Sequence, residues 1–191
     1  MYQKNLKNIF NFMKAFRRKY FYTDTDVLVK LPETNKFYIG NQHFLIEFQD
    51  EDLEKKIEEG LYDLNEDFKN NYFEIDIDSR DKNWYFYNQV KEILSSEFKI
   101  IELGSYTDDI EYIFLVAVLV GLNTGHYLEY KFLNLLSKLM EKEPFIRKFK
   151  SIGFSNGYFL LESYFSKIYV GGWQKKDNEK IKEVINNLKE G

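Results

Sequence analysis

One long stretch of the chain carries neither a charge nor an amide side chain, and it reads Ile113-Phe114-Leu115-Val116-Ala117-Val118-Leu119-Val120-Gly121-Leu122. Ten residues are too few for a helix that crosses a bilayer, which needs about 20, so the stretch belongs in a core. Its β-branched residues favour the crowded, pleated surface of a sheet. The sequence therefore predicts that residues 111–120 form the central, most buried strand.

The segments on either side complete an α+β pattern. A second apolar segment, Phe98–Leu103, predicts a strand, and the polar residues 104–109 predict a turn between the two strands. Spacing of apolar residues predicts the remaining elements. Helices are expected at 4–20, 51–69, 82–96 and 127–142 and from Asp177 to the C-terminus, and strands at 36–39, 43–48, 72–77, 151–154, 158–162 and 166–170. The prediction is one domain over 1–191, with helices packed on a mostly antiparallel sheet.

Composition excludes several classes of protein. With 44% hydrophobic residues the chain is not expected to be disordered. It has no cysteine, which excludes disulfides, zinc–thiolate sites, iron–sulfur clusters and a cysteine nucleophile. The N-terminal segment lacks the apolar core of a signal peptide. We therefore expect a cytoplasmic protein without a membrane span or a cofactor.

Charge is unevenly distributed along the chain. Residues 1–22 hold six bases and no acid, and helix 4–20 is predicted to be basic and amphipathic. Residues 47–81 hold fourteen acids against four bases, a net charge of −10. Asymmetry of this kind bears on partners. An acidic surface repels nucleic acid and attracts basic proteins, so direct binding of nucleic acid is not expected.

Two motifs could carry enzyme chemistry. Residues 153–157 match the G-x-S-x-G pattern of a nucleophile elbow, but both histidines, His43 and His126, precede it, and Asn-Gly between apolar runs is typical of a hairpin turn. Glu74, Asp76 and Asp78 alternate along one predicted strand face. Oxygen ligands so arranged could hold a divalent cation, but alternating acids more commonly mark a solvated strand face.

Four consecutive aromatic residues, Trp84 to Tyr87, fall within a predicted helix. Neighbouring residues on a helix diverge by about 100°, so the four cannot share one face. At least one of Trp84 and Tyr87 should therefore reach the surface, where an aromatic residue can anchor a protein–protein interface.

Three segments in order along the chain, Phe48–Leu53, Lys99–Leu103 and Tyr106–Tyr112, form a pattern that extends over residues 44–118. In this pattern the chain resembles an uncharacterised domain of small acidic bacterial proteins, some of which are encoded as immunity partners of toxins. The resemblance implies a non-enzymatic binding role and assigns no catalytic or metal-binding residue.

The function expected from the sequence is that of an acidic, non-enzymatic protein that neutralises a basic partner, such as the immunity protein of a bacterial toxin. One alternative is a phage- or plasmid-encoded inhibitor of a host nuclease or defence enzyme. The other is a metal-dependent enzyme that uses Glu74, Asp76 and Asp78. The predicted partner-binding residues are Glu51, Glu54, Glu58, Asp63, Glu74, Asp76, Asp78 and Trp84.

Overall fold

The computed structural model describes residues 2–22, 25–67, 72–143, 146–172 and 179–190. The helices are α1 (Tyr2–Tyr20), α2 (Glu51–Glu54), α3 (Tyr85–Ser95), α4 (Ile110–Thr124), α5 (Tyr130–Met140) and α6 (Glu179–Glu190). The strands are β1 (Asp26–Lys30), β2 (Lys36–Gly40), β3 (Phe44–Gln49), β4 (Gly60–Asp67), β5 (Tyr72–Asp81), β6 (Lys99–Thr107), β7 (Phe149–Ser155), β8 (Tyr158–Ser163) and β9 (Lys167–Gly171). The fold is α+β. The predicted helix start at Asp177 lies outside the described residues.

The chain divides into two compact units. The first comprises residues 1–97 and 165–168, and the second comprises 98–164 and 169–191. In the first unit the strand order is β5-β4-β1-β2-β3, and neighbouring strands are antiparallel. In the second unit the order is β9-β8-β7-β6, of which β9 contributes Tyr169–Gly171. The pairs β6–β7 and β7–β8 are antiparallel.

The apolar stretch that was expected to form a central strand at 111–120 is helix α4, so that prediction is wrong. The side chain of Asp109 caps the helix by accepting a hydrogen bond from the Tyr112 N–H at 3.2 Å. Gly125 ends it in the left-handed conformation, with φ 74°, and its N–H donates to the Gly121 carbonyl at 2.8 Å. The buried face of the helix packs on β7, α5 and α6, and this packing outweighs the strand preference of its β-branched residues.

The helix predicted at 51–69 is also wrong, because α2 ends after one turn and residues 60–67 form strand β4. Strand β4 begins at Gly60, whose φ of 149° is a conformation that residues with a side chain rarely adopt. From there β4 pairs with β1 on one side and β5 on the other. The backbone hydrogen bonds of these two pairings thus outweigh the helical spacing of the leucines, which had predicted a helix.

Other predicted elements are confirmed with small shifts of their ends. The hairpin of β2 and β3 and the hairpin of β7 and β8 occur where the sequence predicts them. At the second hairpin Asn156 and Gly157 have φ 48° and 84°, as a type I′ turn requires, so the G-x-S-x-G match is a hairpin turn. Strands β5, β6 and β9 and helices α3 and α5 also overlap their predicted positions. Strands β5 and β6 each run four residues further than predicted, so residues 104–107 are strand and the turn predicted at 104–109 is wrong over that part.

Helix α1 packs its apolar face on the first unit. Phe16 contacts Phe44 of β3 with ring centroids 4.8 Å apart, and Ile9, Met13 and Phe16 are fully buried. Arg17 Nε lies 2.7 Å from Oδ2 of the buried Asp26 on β1. The apolar face of the basic helix is therefore committed to the core. Among the described residues, no helix combines the length and the apolar composition that a bilayer crossing needs.

Candidate functional site

The predicted partner-binding residues all lie in the first unit, and their carboxylates form two groups. The first group lies on β5 and β4, the two strands at one end of that unit's strand order, and comprises Asp63, Glu74, Asp76 and Asp78. We call these four residues the acidic edge. Glu51, Glu54 and Glu58 lie on α2 and in the segment that leads into β4. The sequence pattern predicted all seven carboxylates on one long helix and the strand after it. The structure instead brings four of them together on two paired strands.

Register places two carboxylates of the acidic edge opposite each other. Asp63 of β4 is the direct partner of Asp76 in β5, and Asn65 is the partner of Glu74. Residues opposite each other in an antiparallel pair point to the same face of the sheet, as do residues two apart in a strand. Asp63, Asn65, Glu74 and Asp76 therefore share one face. Within the described residues, none of the four carboxylates of the acidic edge forms an ion pair with a base.

Electrostatics at this pair are unfavourable. Burial raises the pKa of Asp63, and the neighbouring Asp76 carboxylate raises it further. Like charges placed directly opposite each other destabilise an antiparallel pair. Asn65 Nδ2 lies 3.5 Å from Asp76 Oδ2, a long contact from a neutral group. As far as the described residues go, the acidic edge thus holds negative charge that no base neutralises, and Asp63 and Asp76 are partly buried.

A bulge in β5 shapes this surface. Between the paired positions Leu61–Asp81 and Asp63–Asp76, β4 has one residue and β5 has four. The Ser79 hydroxyl fills the gap, because it accepts from the Asp63 N–H at 2.8 Å and donates to the Asp76 carbonyl at 2.6 Å. Helix α3 begins beyond the bulge, with Trp84 as its N-cap residue and without a side-chain cap.

The bulge also explains one wrong prediction about burial. Alternation along β5 predicts that Ile77 points inward with Phe73 and Ile75. Ile75 is buried, but Ile77 is 56% exposed, because the four unpaired residues interrupt the alternation. An exposed isoleucine beside exposed Asp78 gives the acidic edge an apolar element that the sequence pattern conceals.

The second group of acids is partly neutralised. Glu58 forms an ion pair with Arg80, and Glu59 Oε1 lies 2.6 Å from Lys82 Nζ. The hydrogen bond from Lys82, together with its charge, lowers the pKa of Glu59. Glu51 and Glu54 are exposed and form no ion pair within the described part of the chain. Among the predicted carboxylates, Glu58 is thus the one that a base in the described ranges already pairs with.

Exposed aromatic residues lie at the start of α3. Trp84 is exposed and Tyr87 is buried, as the divergence of neighbouring helical positions predicts. Tyr85 is 78% exposed and was not among the predicted partner-binding residues. Its signal is present in the sequence, because it lies in the same aromatic run as Trp84.

The metal-dependent alternative requires Glu74, Asp76 and Asp78 to bind one metal ion together. Glu74 and Asp76 share a strand face, and Asp78 lies in the bulge, where its N–H donates to Asp76 Oδ1 at 3.1 Å. In the described ranges, no three or more histidine, aspartate or glutamate side chains are grouped so that they could hold a metal ion. A metal site at Glu74, Asp76 and Asp78 stays a prediction, which calorimetric titration with Mg²⁺ or Mn²⁺ would test.

Comparison with known proteins yields distant structural likenesses only. No protein-family model matches the chain, and no curated protein matches it. A crystal structure of the DNA polymerase III beta chain from Streptococcus pneumoniae TIGR4 aligns with a TM-score of 0.41 and 10% identity, covering 94% of this chain and 66% of that one. A putative DNA polymerase III beta subunit from Eubacterium rectale aligns with a TM-score of 0.32 and 9% identity, covering 83% and 59%. This chain thus spans just under two thirds of the first protein and less of the second, and likenesses at this level carry no argument about function.

Proposed function

We propose that this chain is a non-enzymatic binding protein whose acidic edge neutralises a basic protein partner. The observation that supports the proposal best is the direct opposition of Asp63 and Asp76, partly buried and without a base against them in the described part of the chain. A toxin, for which this chain would be the immunity protein, is the first partner we propose. A host nuclease or defence enzyme, inhibited by a phage- or plasmid-encoded protein, would use the same surface.

The physical reasoning is that no base among the described residues pairs with the acidic edge, so that a partner can supply the cation. Opposed carboxylates reduce the stability of the free protein, and departures from local optimisation are expected at functional sites. A lysine or arginine from a partner would relieve the repulsion on binding. The same charge accelerates encounter with a basic protein and repels nucleic acid.

Exposed apolar side chains lie near these carboxylates in the sequence. They can make the short-range anchoring contacts that charged groups do not provide. Charges at the rim of an interface mainly set the association rate, whereas aromatic and apolar anchors set the lifetime of the complex. Ile77, Trp84 and Tyr85 are exposed in the same unit as the acidic edge. We assign the anchoring role to these three side chains.

The test is a charge reversal with a matched control. Glu51, Glu74 and Asp78 are exposed and belong to no ion pair in the described part of the chain, and the test variant changes all three to Lys. The control variant changes Glu102, Glu141 and Glu190, exposed acids of the second unit, to Lys. Both variants change the net charge from −4 to +2, which is six units from three reversals of two units each.

The measurement has two stages. Immobilised wild-type chain captures partners from the host lysate at low salt, and the captured protein is then purified and its association rate measured against each variant. The test variant should slow association about tenfold or more at 50 mM salt and change dissociation much less, while the control stays within about twofold of wild type. Binding that is indifferent to these reversals, and to salt between roughly 50 and 500 mM, over which the Debye length shrinks severalfold, would refute the proposal.

A further inference from the structure

An open groove of about 900 Å³ lies in the first unit, beside the turn that joins β1 to β2. Residues 30–36 line it from that turn and the adjoining strand ends, and Glu54 and Glu59 line it from α2 and the segment that follows. Ligand-binding sites in proteins commonly have volumes of about 300–1,000 Å³. The four residues of the acidic edge are not among those that line it. The groove is therefore a separate feature of the same unit, with the size of a binding site.

The bases of the groove are held by acceptors of the chain itself. Among the described residues these bases are Lys30 and Lys36. Lys30 Nζ donates to the Ile57 carbonyl at 3.0 Å. Lys36 Nζ lies 3.0 Å from Oε1 of the buried Glu47, whose other carboxylate oxygen accepts from the Tyr38 hydroxyl at 3.2 Å. The lysine–glutamate pair is thus internally neutral, and in the described part of the chain Lys30 is the one base of the groove that no carboxylate neutralises.

The unpaired carboxylates of the groove outnumber that base. Glu59 Oε1 lies 2.6 Å from Lys82 Nζ, so its charge is neutralised. Glu33 and Glu54 are exposed, and neither forms an ion pair within the described residues. With Lys30 the groove keeps a net charge of −1, two carboxylates against one ammonium group. Glu33 also has φ 58°, a left-handed conformation that is strained for a residue with a side chain and recurs at binding sites. The groove therefore favours a cationic ligand.

The uncharged residues of the groove suit a peptide chain. Leu31 is partly exposed and Pro32 is exposed, so both offer apolar surface to the methylene stem of a long basic side chain. Asn35 is exposed, and its side-chain amide carries the same kinds of donor and acceptor as a peptide bond. Arginine matches the carboxylates better than lysine, because its planar guanidinium can donate two parallel hydrogen bonds to one carboxylate. An extended segment that bears arginine complements all of these groups.

We infer that this groove binds an extended, arginine-bearing segment of the basic partner. Guanidinium groups of the segment pair with Glu33 and Glu54, and its backbone exchanges hydrogen bonds with the Asn35 amide. This assignment rests on the proposed function, because it names a second contact of the same partner. It adds that the partner contributes a flexible loop or tail, in contrast to the folded basic surface that the acidic edge would attract. Ordering such a segment costs free energy, so the isolated segment should bind in the micromolar range or more weakly.

A labelled peptide tests whether the groove binds this chemistry. The probe is a fluorescein-labelled decapeptide of alternating arginine and serine, titrated with the full chain at about 50 mM salt and followed by fluorescence anisotropy. Replacing each arginine by citrulline, which has nearly the same shape and no charge, should weaken binding about tenfold or more. Glu33→Gln/Glu54→Gln should raise the dissociation constant of the arginine peptide about fivefold or more, because it removes both unpaired carboxylates of the groove.

The matched control is Glu102→Gln/Glu190→Gln, which removes two exposed carboxylates from the second unit. Both double variants change the net charge from −4 to −2, so they differ only in where the charge is lost. The control should stay within about twofold of wild type. Equal effects of the two double variants, or a peptide that does not bind wild type at chain concentrations up to about 1 mM, overturn the inference.

Asn35→Leu tests the site without changing any charge. Leucine has a similar size but cannot exchange hydrogen bonds with a peptide backbone, so binding should weaken about threefold. The control is Gln42→Leu, which changes an exposed amide that lies between β2 and β3 and does not line the groove, and it should leave binding unchanged. A peptide that binds Asn35→Leu as tightly as wild type does not contact this groove, which overturns the inference.

The partner itself separates this inference from the proposed function. The variant that reverses Glu51, Glu74 and Asp78 leaves every groove-lining residue unchanged. We expect that variant to slow association of the partner and Glu33→Gln/Glu54→Gln to speed its dissociation. If the reversals leave association unchanged while the groove variant still weakens the peptide, the proposed function fails and the groove keeps its ligand class. If the reversals slow association but the groove variant binds both partner and peptide like wild type, the groove inference alone is overturned.

Discussion

Replacing Asp63 by Asn tests the electrostatic account of the acidic edge. Asp63 opposes Asp76 directly in the β4–β5 ladder, so their β-carbons are about 5 Å apart. Two unit charges at that distance repel by about 0.8 kcal/mol in bulk water; partial burial increases the repulsion and salt reduces it. We expect Asp63→Asn to raise the free energy of unfolding by about 0.5–1 kcal/mol at pH 7. Asn keeps the shape of the side chain and removes only the charge.

The effect has a definite dependence on pH. The pKa of Asp63 in the folded protein is raised above the ordinary value, first by burial and then by Asp76. The folded state therefore binds the proton more tightly than the unfolded state, and wild type loses stability as pH rises through the folded pKa. The advantage of Asp63→Asn should be full at pH 7 and should vanish as pH falls toward the ordinary aspartate pKa, near 4.

Urea unfolding followed by far-ultraviolet circular dichroism at pH 7 and pH 4 provides the measurement. With a urea m-value of about 2 kcal/mol per molar, the expected gain moves the midpoint by about 0.3–0.5 M at pH 7. Asp78→Asn is the control, because Asp78 is exposed and lies in the bulge, where no residue of β4 is paired with it. A variant no more stable than wild type at pH 7, or one with the same gain at pH 4, would refute the reasoning.

Three further predictions concern the framework, and urea unfolding checks each of them. Asp109→Ala removes the side-chain cap of α4 and should cost about 1 kcal/mol, while Asp109→Asn should keep most of the stability. Gly121→Ala would place a methyl group 2.3 Å from a Tyr127 ring carbon and should cost about 1–3 kcal/mol, part of which Tyr127→Ala should recover. Arg17→Met removes a cation 2.7 Å from the fully buried Asp26 and should cost about 3 kcal/mol, more than Arg17→Lys.

Where the sequence predicted the fold correctly, local chemistry and tertiary packing favoured the same structure. Asn156-Gly157 adopts the positive φ angles of a type I′ turn, and the apolar runs on either side pair across it. The apolar spacing of α1 agrees with its burial against β3. Agreement between local conformational preference and tertiary packing is what makes an element predictable from one sequence.

The strand predicted at 111–120 is wrong because the composition of the stretch and the residues at its ends favour different structures. β-branched residues favour a strand, yet Asp109 and Gly125 bracket fifteen residues, a length common for helices and long for a strand. Asp is a preferred N-cap residue, and Gly is preferred where a helix ends. These two residues are the signal in the sequence that indicates a helix at α4.

The acidic edge was predicted in composition but not in arrangement. Which carboxylates were surface candidates followed from the charge of residues 47–81, and Glu51, Glu54, Glu74 and Asp78 are indeed exposed. That Asp63 opposes Asp76 depends on β4 being a strand and on the register beyond the bulge. Neither follows from spacing, because a shift of one residue in register would move Asp63 to the other face of the sheet.

The charged and the apolar parts of the proposed partner-binding surface respond to different physical variables, which makes their roles separable. Attraction of a basic partner to the acidic edge is long-ranged and weakens with salt. Contact through the exposed side chains of Ile77, Trp84 and Tyr85 is short-ranged, so moderate salt leaves it nearly unchanged. If the proposal is right, salt should lower the association rate, whereas substitution of these three side chains should raise the dissociation rate. A dissociation rate that is indifferent to all three substitutions would leave charge as the sole source of binding and would refute the anchoring role.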